Sequence, residues 1–377
     1  MLERILNLPA LLERKSFFLF GPRGTGKTTL IRNTLEDAFL IDLLEIKTYR
    51  EYLKNPSILA EQKLKPVVVI DEVQKLPEIL DEVHRLIETR KLTFLLTGSS
   101  ARKLKRGGAN LLAGRAWWAE LFPLTSHEIP DFELLTYLNR GGLPAVYPSD
   151  DFQEELKAYT GLYLKEEIQN EALTRKISHF TEFLDLVALC NGEEISYQSI
   201  AVDCGVSANS IKNYIQILED TLVAFQLPGF TKTRKRKSIS RAKLYFFDIG
   251  VVNSLAGRGE IMAGSELFGK AFEHFIVLEV RAFLSYFRKD VNMYYWRSTS
   301  QFEVDLVLGT QWAIEIKSTT MVQDKHLKGI RALKEENAIE NFAVVSCDTI
   351  ERVTKDNITI FPWKRFLQKL WQGTIIL

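Results

Sequence analysis

Short apolar runs alternate with helix-like stretches along the first 150 residues of the chain. Four of these runs are rich in aromatic and β-branched residues, and they span residues 16–20, 39–43, 67–70 and 93–96. Runs that are apolar at nearly every position are typical of parallel strands buried between helices. The pattern therefore predicts an α/β domain with a parallel sheet over residues 1–150.

The spacing of apolar residues changes in the rest of the chain. Residues 151–194 have helical spacing, and residues 196–219 have the spacing of a helix-turn-helix with Gly205 at the turn. Aromatic and β-branched runs return after Leu244. We therefore predict three domains, which span residues 1–150, 151–245 and 246–377.

Composition and charge exclude several classes of protein. Hydrophobic residues make up 46% of the chain and charged residues 26%, as in ordinary globular proteins. The 49 Lys and Arg nearly balance the 48 Asp and Glu, so attraction to nucleic acid would have to come from local basic patches. No apolar run approaches the roughly 20 residues that cross a bilayer. The three separate cysteines predict neither a disulfide framework nor a thiolate metal site. We expect a cytoplasmic protein without membrane contact.

A glycine-rich motif follows the first predicted strand and precedes a helix-like segment. It matches the pattern G-x-x-x-x-G-K-S/T. With the next residue it comprises Gly21, Pro22, Arg23, Gly24, Thr25, Gly26, Lys27, Thr28 and Thr29. In such a loop, backbone N–H groups surround the phosphates, the lysine reaches the β and γ phosphates, and the Thr28 hydroxyl binds Mg²⁺. The motif predicts a site for ATP and Mg²⁺.

Polar residues follow two further predicted strands. Asp71 and Glu72 come directly after the run 67–70, and Ser99 comes shortly after the run 93–96. The carboxyl ends of parallel strands form the ligand-binding edge of such sheets. We expect Asp71 to hold Mg²⁺ through water and Glu72 to polarise the water that attacks the γ phosphorus. Ser99 is a candidate γ-phosphate sensor, and the alternative is an ordinary strand-to-loop turn.

Arg115 follows a basic segment at residues 102–108. It is a candidate arginine finger, which would stabilise transition-state charge in its own subunit or in a neighbouring one. A solvated basic loop is the alternative.

The helix-turn-helix and the stretch after it carry polar and basic side chains. Ser207 is expected to cap the second helix, which leaves Asn209 and Lys212 on faces that could meet bases or phosphates. Residues 228–247 hold seven Lys and Arg and no acid. The densest run in that stretch is Arg234, Lys235, Arg236 and Lys237. A β wing against DNA phosphates would carry such charges. An interdomain packing unit with a solvated hairpin tip is the alternative.

These motifs resemble a family of predicted bacterial and archaeal AAA-type ATPases. The further marks of the resemblance lie at residues 70–75, 96–100, 121–125 and 141–144. Members join a P-loop AAA-type ATPase domain to a winged helix and to a C-terminal domain related to PD-(D/E)XK nucleases. The resemblance implies an α/β chain with a helical winged-helix middle domain and a C-terminal α/β restriction-endonuclease-like domain.

The pattern of the C-terminal region predicts a helix, three strands, a second helix and a further strand, at residues 268–284, 293–296, 302–308, 312–317, 325–336 and 342–345, and charged residues lie on these elements. Glu273 lies on a helix-like segment, Asp305 lies on one strand-like run, and Glu315 and Lys317 share one face of the next. Under the resemblance, Asp305 and Glu315 hold Mg²⁺ or Mn²⁺, Lys317 orients or deprotonates the attacking water, and Glu273 completes the metal shell. The E-x-K spacing occurs five times in the chain, so a charged hairpin without chemistry is the alternative.

The sequence as a whole predicts a Mg²⁺-dependent ATPase coupled to DNA binding and to metal-dependent DNA cleavage, in defence or DNA processing. The alternative is an ATP-switched DNA-binding or protein-remodelling module whose C-terminal domain only recognises a partner. The expected partners are ATP and DNA. Both a monomer and a homo-oligomer fit the sequence.

Overall fold

The N-terminal sheet is built from the apolar runs of the first 150 residues. In this computed structural model, residues 2–100, 102, 112, 114–164 and 177–376 are described. The strands are β1 (Ser16–Phe20), β2 (Phe39–Asp42), β3 (Val67–Asp71), β4 (Thr93–Gly98) and β5 (Ala116–Glu120). All pairs are parallel, and the order across the sheet is β2-β3-β4-β1-β5. The carboxyl ends of β3, β4 and β1 are therefore neighbours at one edge.

Among the described residues, five α-helices and a 3₁₀ turn at Val73–Lys75 accompany this sheet. The α-helices are α1 (Leu8–Leu12), α2 (Lys27–Thr34), α3 (Ile46–Lys54), α4 (Ile58–Glu61) and α5 (Ile79–Arg90). The strand β1 is buried along its whole length, which agrees with the four consecutive apolar residues that follow Ser16.

The middle of the chain is mainly helical. Its helices are α6 (Leu134–Arg140), α7 (Phe152–Ala158), a π-helical segment (Tyr159–Leu164), α8 (Ile177–Leu189), α9 (Tyr197–Asp203), α10 (Ala208–Asp220) and α11 (Ile249–Leu255). Two antiparallel strands, β6 (Ala224–Leu227) and β7 (Lys243–Phe246), lie before α11. Helices α9 and α10 occupy the predicted helix-turn-helix. The side chain of Ser207 caps α10, and Gly205 in the turn has φ +61°.

The C-terminal region follows the predicted order of one helix, three strands, a helix and a strand. Its helices are α12 (Glu266–Tyr286), α13 (Lys328–Lys334) and α14 (Trp363–Trp371), with a 3₁₀ turn at Asp324–Leu327. Its strands are β8 (Met293–Arg297), β9 (Glu303–Leu308), β10 (Trp312–Lys317), β11 (Asn341–Ser346), β12 (Arg352–Val353) and β13 (Thr359–Pro362). They form one sheet in the order β12-β13-β11-β10-β9-β8. Strands β8, β9 and β10 are antiparallel neighbours, whereas β11 lies parallel to β10.

The connection between β6 and β7, residues 228–242, is named here the basic segment. The sequence predicted a β wing against DNA phosphates, with an interdomain packing unit as the alternative, and the segment lies along the edge strand β8. The N–H of Phe230 donates to the carbonyl of Tyr295 at 2.7 Å, and the N–H of Ile239 donates to the carbonyl of Arg297 at 2.8 Å. An edge strand leaves backbone groups unpaired, and the basic segment satisfies some of them.

One apolar core extends across the predicted domain boundaries. It includes Tyr137 of α6, Phe272 and Phe275 of α12, and Leu306 of β9. Helix α12 is thus packed against both the N-terminal part of the chain and the C-terminal sheet. In the described ranges, no helix is long and apolar enough to cross a membrane.

Candidate functional site

The glycine-rich loop connects the end of β1 to the start of α2. Gly24 has φ +81° and Gly26 has φ +91°, in the left-handed region where glycine avoids a Cβ clash. Gly26 is the N-cap of α2, so the unpaired N–H groups of the first helical turn face the loop. A glycine loop that leads into a helix N-terminus is suited to binding phosphate.

Lys27 is buried at the centre of this loop. Its ammonium donates to the carbonyl of Gly21 at 2.7 Å and to the carbonyl of Pro22 at 3.2 Å. The lysine charge is therefore held inside the hollow of the loop. This position agrees with the predicted role in binding phosphate oxygens.

Asp71 lies at the end of β3, beside the first turn of α2. The Thr28 hydroxyl donates to Asp71 Oδ2 at 3.0 Å, and the Thr97 hydroxyl of β4 donates to Asp71 Oδ1. The hydroxyl of Thr28 and the carboxylate of Asp71 thus lie side by side, which suits a magnesium ion bound by Thr28 and held by Asp71 through water.

Glu72 follows with a left-handed backbone, at φ +59°. This conformation is uncommon for a residue other than glycine, and it turns the chain sharply after β3. The Gln74 side-chain amide donates to Glu72 Oε2, and the same nitrogen lies 3.3 Å from Ser99 Oγ. Gln74 therefore connects the predicted water-activating residue to the predicted sensor.

Gln74 itself is buried, and sequence reasoning noted it only as part of a motif. Within the described part of the chain, its Oε1 has no hydrogen-bond partner. A Cβ at Gly98 would lie 2.2 Å from this oxygen, so the close approach of the two residues requires a glycine there. The signal in the sequence was its position three residues after Asp71.

Arg115 lies on the side of the N-terminal domain, against α5. Its Nε donates to Glu88 Oε1 at 2.5 Å, and this hydrogen bond lowers the pKa of Glu88. A role as an arginine finger stays a prediction. Most of the other basic stretch, residues 102–108 before Arg115, lies outside the described residues.

Two side chains that the sequence did not single out contact the glycine-rich loop. Arg4 donates to the carbonyl of Thr25 at 2.7 Å and pairs with Glu128 at 2.9 Å. From the other side, the Tyr159 hydroxyl donates to the carbonyl of Arg23 at 2.9 Å. Arg4 lies 21 residues before Thr25, and Tyr159 lies 136 residues after Arg23. No local pattern in the sequence could therefore reveal these two contacts.

A large cavity of about 1370 Å³ opens beside the loop. Its walls include the N-terminal segment at residues 2–7, with Gly26, Thr29 and Asn33 of the loop and α2, and Tyr147. Thr29, predicted as a nucleotide-binding residue, therefore faces this space. The cavity adjoins the phosphate-binding loop and mixes apolar walls with polar side chains.

A second cluster of charged residues lies in the C-terminal sheet. Asp305 on β9 accepts the backbone N–H of Ile316 at 2.7 Å. The Lys317 ammonium lies 2.7 Å from Glu315 Oε1 and 3.3 Å from Asp305 Oδ2, and it donates to the Ile316 carbonyl at 3.1 Å. The structure thus brings together the three residues that the sequence predicted for a metal-dependent site.

Glu273 of α12 joins this cluster through a residue that sequence reasoning missed. The ammonium of Lys243 lies 3.2 Å from Glu273 Oε1 and 2.7 Å from Glu303 Oε1. The hydroxyl of Tyr245 also donates to Glu273, at 2.5 Å. We name the four acids Glu273, Glu303, Asp305 and Glu315, with the two lysines Lys243 and Lys317, the carboxylate cluster.

Burial dominates the electrostatics of the carboxylate cluster. Burial and the nearby Asp305 carboxylate raise the pKa of Glu315 to about 8, and burial also raises the pKa of Glu273. Burial alone would lower the pKa of Lys317, but Asp305 and Glu315 raise it overall.

One carboxylate oxygen of the carboxylate cluster is left for a divalent cation. Among the described residues, none donates a hydrogen bond to the buried Glu315 Oε2. No group of three or more His, Cys, Asp or Glu in those residues is arranged to hold a metal as it stands. The orphaned oxygen beside Asp305 fits a hard cation, while the two lysines provide the positive charge in this arrangement.

The predicted DNA-binding residues of α10 line an open cleft. Asn209 and Lys212 form one wall of a space of about 520 Å³, and Tyr197 and Arg241 contribute to its other sides. Both predicted residues are exposed. Their contact with DNA stays a prediction.

The four basic residues of the predicted wing divide into two kinds. Arg234, Lys235 and Lys237 are exposed. Arg236 instead pairs with Glu335 at 2.5 Å and with the buried Glu336 at 3.2 Å. At Arg236 the structure differs from the prediction of a phosphate contact, because a buried acid needs a compensating charge. The guanidinium anchors the basic segment to the C-terminal region.

Three families match successive parts of the chain. An AAA domain family matches residues 13–130, and two domains of unknown function, DUF8612 and DUF4143, match residues 131–261 and 268–366. An uncharacterized protein of Mycobacterium tuberculosis is 27% identical over 314 residues, which cover 80% of this chain and 70% of that protein. An uncharacterized protein of Methanocaldococcus jannaschii is 26% identical over 404 residues, which cover 94% and 88%.

Two solved structures show a more distant likeness. The replication initiator DnaA bound to AMPPCP and single-stranded DNA has a TM-score of 0.32 and 15% identity, covering 58% of this chain and 90% of that one. Drosophila ORC bound to AT-rich DNA and Cdc6 has a TM-score of 0.23 and 10% identity, covering 65% and 86%. Scores this low carry no conclusion about function. The AAA domain match, together with the geometry of the glycine-rich loop, supports a P-loop ATPase domain of the AAA type with ATP as its nucleotide.

Proposed function

We propose that the protein is a Mg²⁺-dependent ATPase that binds DNA and carries a metal-dependent phosphodiesterase site in its C-terminal region. The observation that carries the ATPase proposal is the contact of Thr28 with Asp71 beside the buried Lys27. A hydroxyl, a carboxylate and an ammonium are the groups that ATP and its magnesium ion require.

Each residue of the nucleotide site has a distinct role in this proposal. Lys27 and the loop N–H groups bind the phosphates, while Thr28 and Asp71 would hold Mg²⁺. Mg²⁺, when bound, neutralises phosphate charge. Glu72 accepts the proton of the attacking water, and the Gln74 amide orients its carboxylate.

The cavity beside the loop is the proposed place of the nucleoside. Its volume of about 1370 Å³ is ample for an adenosine group, and Thr29 and Asn33 offer polar contacts. Because Arg4 contacts the carbonyl of Thr25 at the mouth of this space, it would position the loop against the nucleotide.

Phosphate release from ATP by the full-length protein tests the ATPase proposal. Lys27→Ala should abolish nucleotide binding, whereas Glu72→Gln should keep binding and lose turnover. Lys63→Ala and Glu61→Gln are matched controls, since both residues are exposed. Wild-type turnover by the Glu72→Gln variant would contradict the assignment of the water-activating residue.

The phosphodiesterase proposal is supported by the contact of Lys317 with Asp305 and Glu315. In it, the two carboxylates would hold a divalent metal, and Lys317 would orient or deprotonate the attacking water. Asp305→Asn should remove both metal and cleavage, and Lys317→Ala should keep the metal and slow the reaction.

Incubation with plasmid, forked and single-stranded DNA, with Mg²⁺ or Mn²⁺ and with or without ATP, separates this activity from the alternative. Cleavage that disappears in Asp305→Asn supports the phosphodiesterase. Binding without cleavage of any substrate would favour an ATP-switched DNA-binding or protein-remodelling module.

A further inference from the structure

We infer that Lys243 acts as a built-in cation of the carboxylate cluster and weakens the affinity of the cluster for a divalent metal. The inference rests on the proposed metal site. It concerns a residue outside the C-terminal region, because Lys243 is the first residue of β7 and pairs with Leu227 of β6.

The position of Lys243 leaves its charge little access to water. Its side chain is only 5% exposed, and its ammonium lies 2.7 Å from Glu303 and 3.2 Å from Glu273. A buried ammonium is stable only beside acids that compensate the loss of hydration. Glu273, the acid that would complete the metal shell, and the neighbouring Glu303 are therefore already engaged with a cation of the protein.

The two lysines of the carboxylate cluster reduce its attraction for a divalent metal ion. Lys317 belongs to the predicted metal-site motif, and Lys243 adds a second ammonium among the same acids. A divalent ion next to Asp305 and Glu315 would be repelled by both lysines. One unit charge a few ångströms away in a partly buried site changes the affinity for such an ion by about tenfold or more.

The acids keep other donors when Lys243 is removed. Glu273 accepts the Tyr245 hydroxyl at 2.5 Å, and Arg297 lies 3.7 Å from Glu303. The ammonium of Lys243 also lies 5.3 Å from the centroid of the Tyr295 ring. A methionine at this position would keep the packing of the side-chain stem while losing the charge.

Titration of the nucleotide-free full-length protein with Mn²⁺ tests the inference, with free Mn²⁺ measured by electron paramagnetic resonance. The Asp305→Asn variant defines the signal that belongs to the carboxylate cluster. Lys243→Met should bind Mn²⁺ about tenfold more tightly than wild type at this site. Lys243→Arg should keep the wild-type affinity because it keeps the charge. Lys270→Met is the matched control, since Lys270 is exposed on the same helix as Glu273.

An unchanged or weaker Mn²⁺ affinity in a folded Lys243→Met variant would overturn the inference and make Lys243 a structural ion-pair partner. Circular dichroism checks the fold, and Lys243→Gln replaces the methionine variant if that one unfolds. If neither wild type nor the neutral variants show Mn²⁺ binding that depends on Asp305, the proposed metal site fails together with the inference.

Discussion

The nucleotide site and the carboxylate cluster both place acids on strands of a sheet, but they compensate the acids in different ways. Asp71 receives two neutral hydroxyls, from Thr28 and Thr97. Asp305 and Glu315 instead share the ammonium of Lys317. A cation that arrives at the first site only reorients hydroxyl groups, whereas a cation at the second must compete with lysines. The comparison teaches that acids of similar chemistry on two sheets differ in how readily they accept a metal ion.

The largest expected effect comes from removing one central acid from each site. Asp71→Asn should abolish ATP turnover and leave Mn²⁺ binding at the carboxylate cluster intact, because the cluster lies in another sheet. Asp305→Asn should do the reverse. Phosphate release and Mn²⁺ titration on both variants give the answer, and loss of both properties in either variant would break the comparison.

A smaller effect is expected from the amide that orients Glu72. Gln74→Ala should lower the rate of ATP turnover by about tenfold, while nucleotide affinity stays unchanged, because the amide acts on the general base and not on the phosphates. Steady-state rates and nucleotide binding separate the two quantities. Gln216→Ala, an exposed glutamine on α10, serves as the control. A loss of affinity equal to the loss of rate would show that Gln74 supports the loop instead.

The pH dependence of metal binding sharpens the contrast between the sites. The pKa of Glu315 is raised to about 8, so below that pH a metal must displace a proton from it. Affinity of the carboxylate cluster for Mn²⁺ should therefore rise with pH, by up to about tenfold per unit, and level off above pH 8. Glu315→Gln should bind weakly and lose this dependence. A wild-type Mn²⁺ affinity that does not change with pH would contradict the raised pKa of Glu315.

The smallest effect concerns the basic segment, where Arg236 pairs with acids while Lys235 and Lys237 are exposed. If Lys235 and Lys237 each contact one phosphate, their replacement by Ala should reduce the slope of log affinity against log salt by about 0.9 per contact. Arg236→Ala should leave the slope unchanged and lower the free energy of unfolding, because Arg236 pairs with Glu336. DNA binding at several salt concentrations and urea unfolding measure the two effects.

Local patterns in the sequence predicted the parts of the molecule that local interactions determine. The strands β1, β3 and β4 are apolar runs, and the glycine-rich loop is a contiguous motif. The strand β5 was missed because it lies at a sheet edge, carries an acid and keeps one tryptophan, Trp118, exposed. Its apolar pattern is therefore incomplete.

Long-range contacts explain what the sequence could not reveal. Lys243 of β7 pairs with Glu273 of helix α12, and Arg4 contacts Tyr286, which lies 282 residues later in the chain. The contact of Arg236 with Glu336 was not predicted, because the two residues lie 100 residues apart in the chain. No periodicity or motif spacing encodes such pairs.

The structure also gives a physical reason for the Gly141 and Gly142 pair, which the sequence could only mark as a family feature. The N–H of Gly142 donates to Asp248 Oδ2 at 2.7 Å, and a Cβ at Gly141 would lie 2.2 Å from the other carboxylate oxygen. Burial raises the pKa of Asp248 to about 6. The glycines therefore allow the start of α11 to dock closely on the end of α6.

Helix α12 contacts both the N-terminal part of the chain and the C-terminal sheet. It carries Glu273 into the carboxylate cluster, and about 20 Å farther along the same helix Tyr286 meets Arg4. Arg4 in turn contacts the carbonyl of Thr25 in the glycine-rich loop. The helix thus connects the glycine-rich loop, through Tyr286 and Arg4, to the carboxylate cluster, through Glu273. A fragment that begins at residue 246 would expose the apolar side chains of α12 that pack against the N-terminal part of the chain. Each half of the chain therefore needs the other to bury its apolar surface.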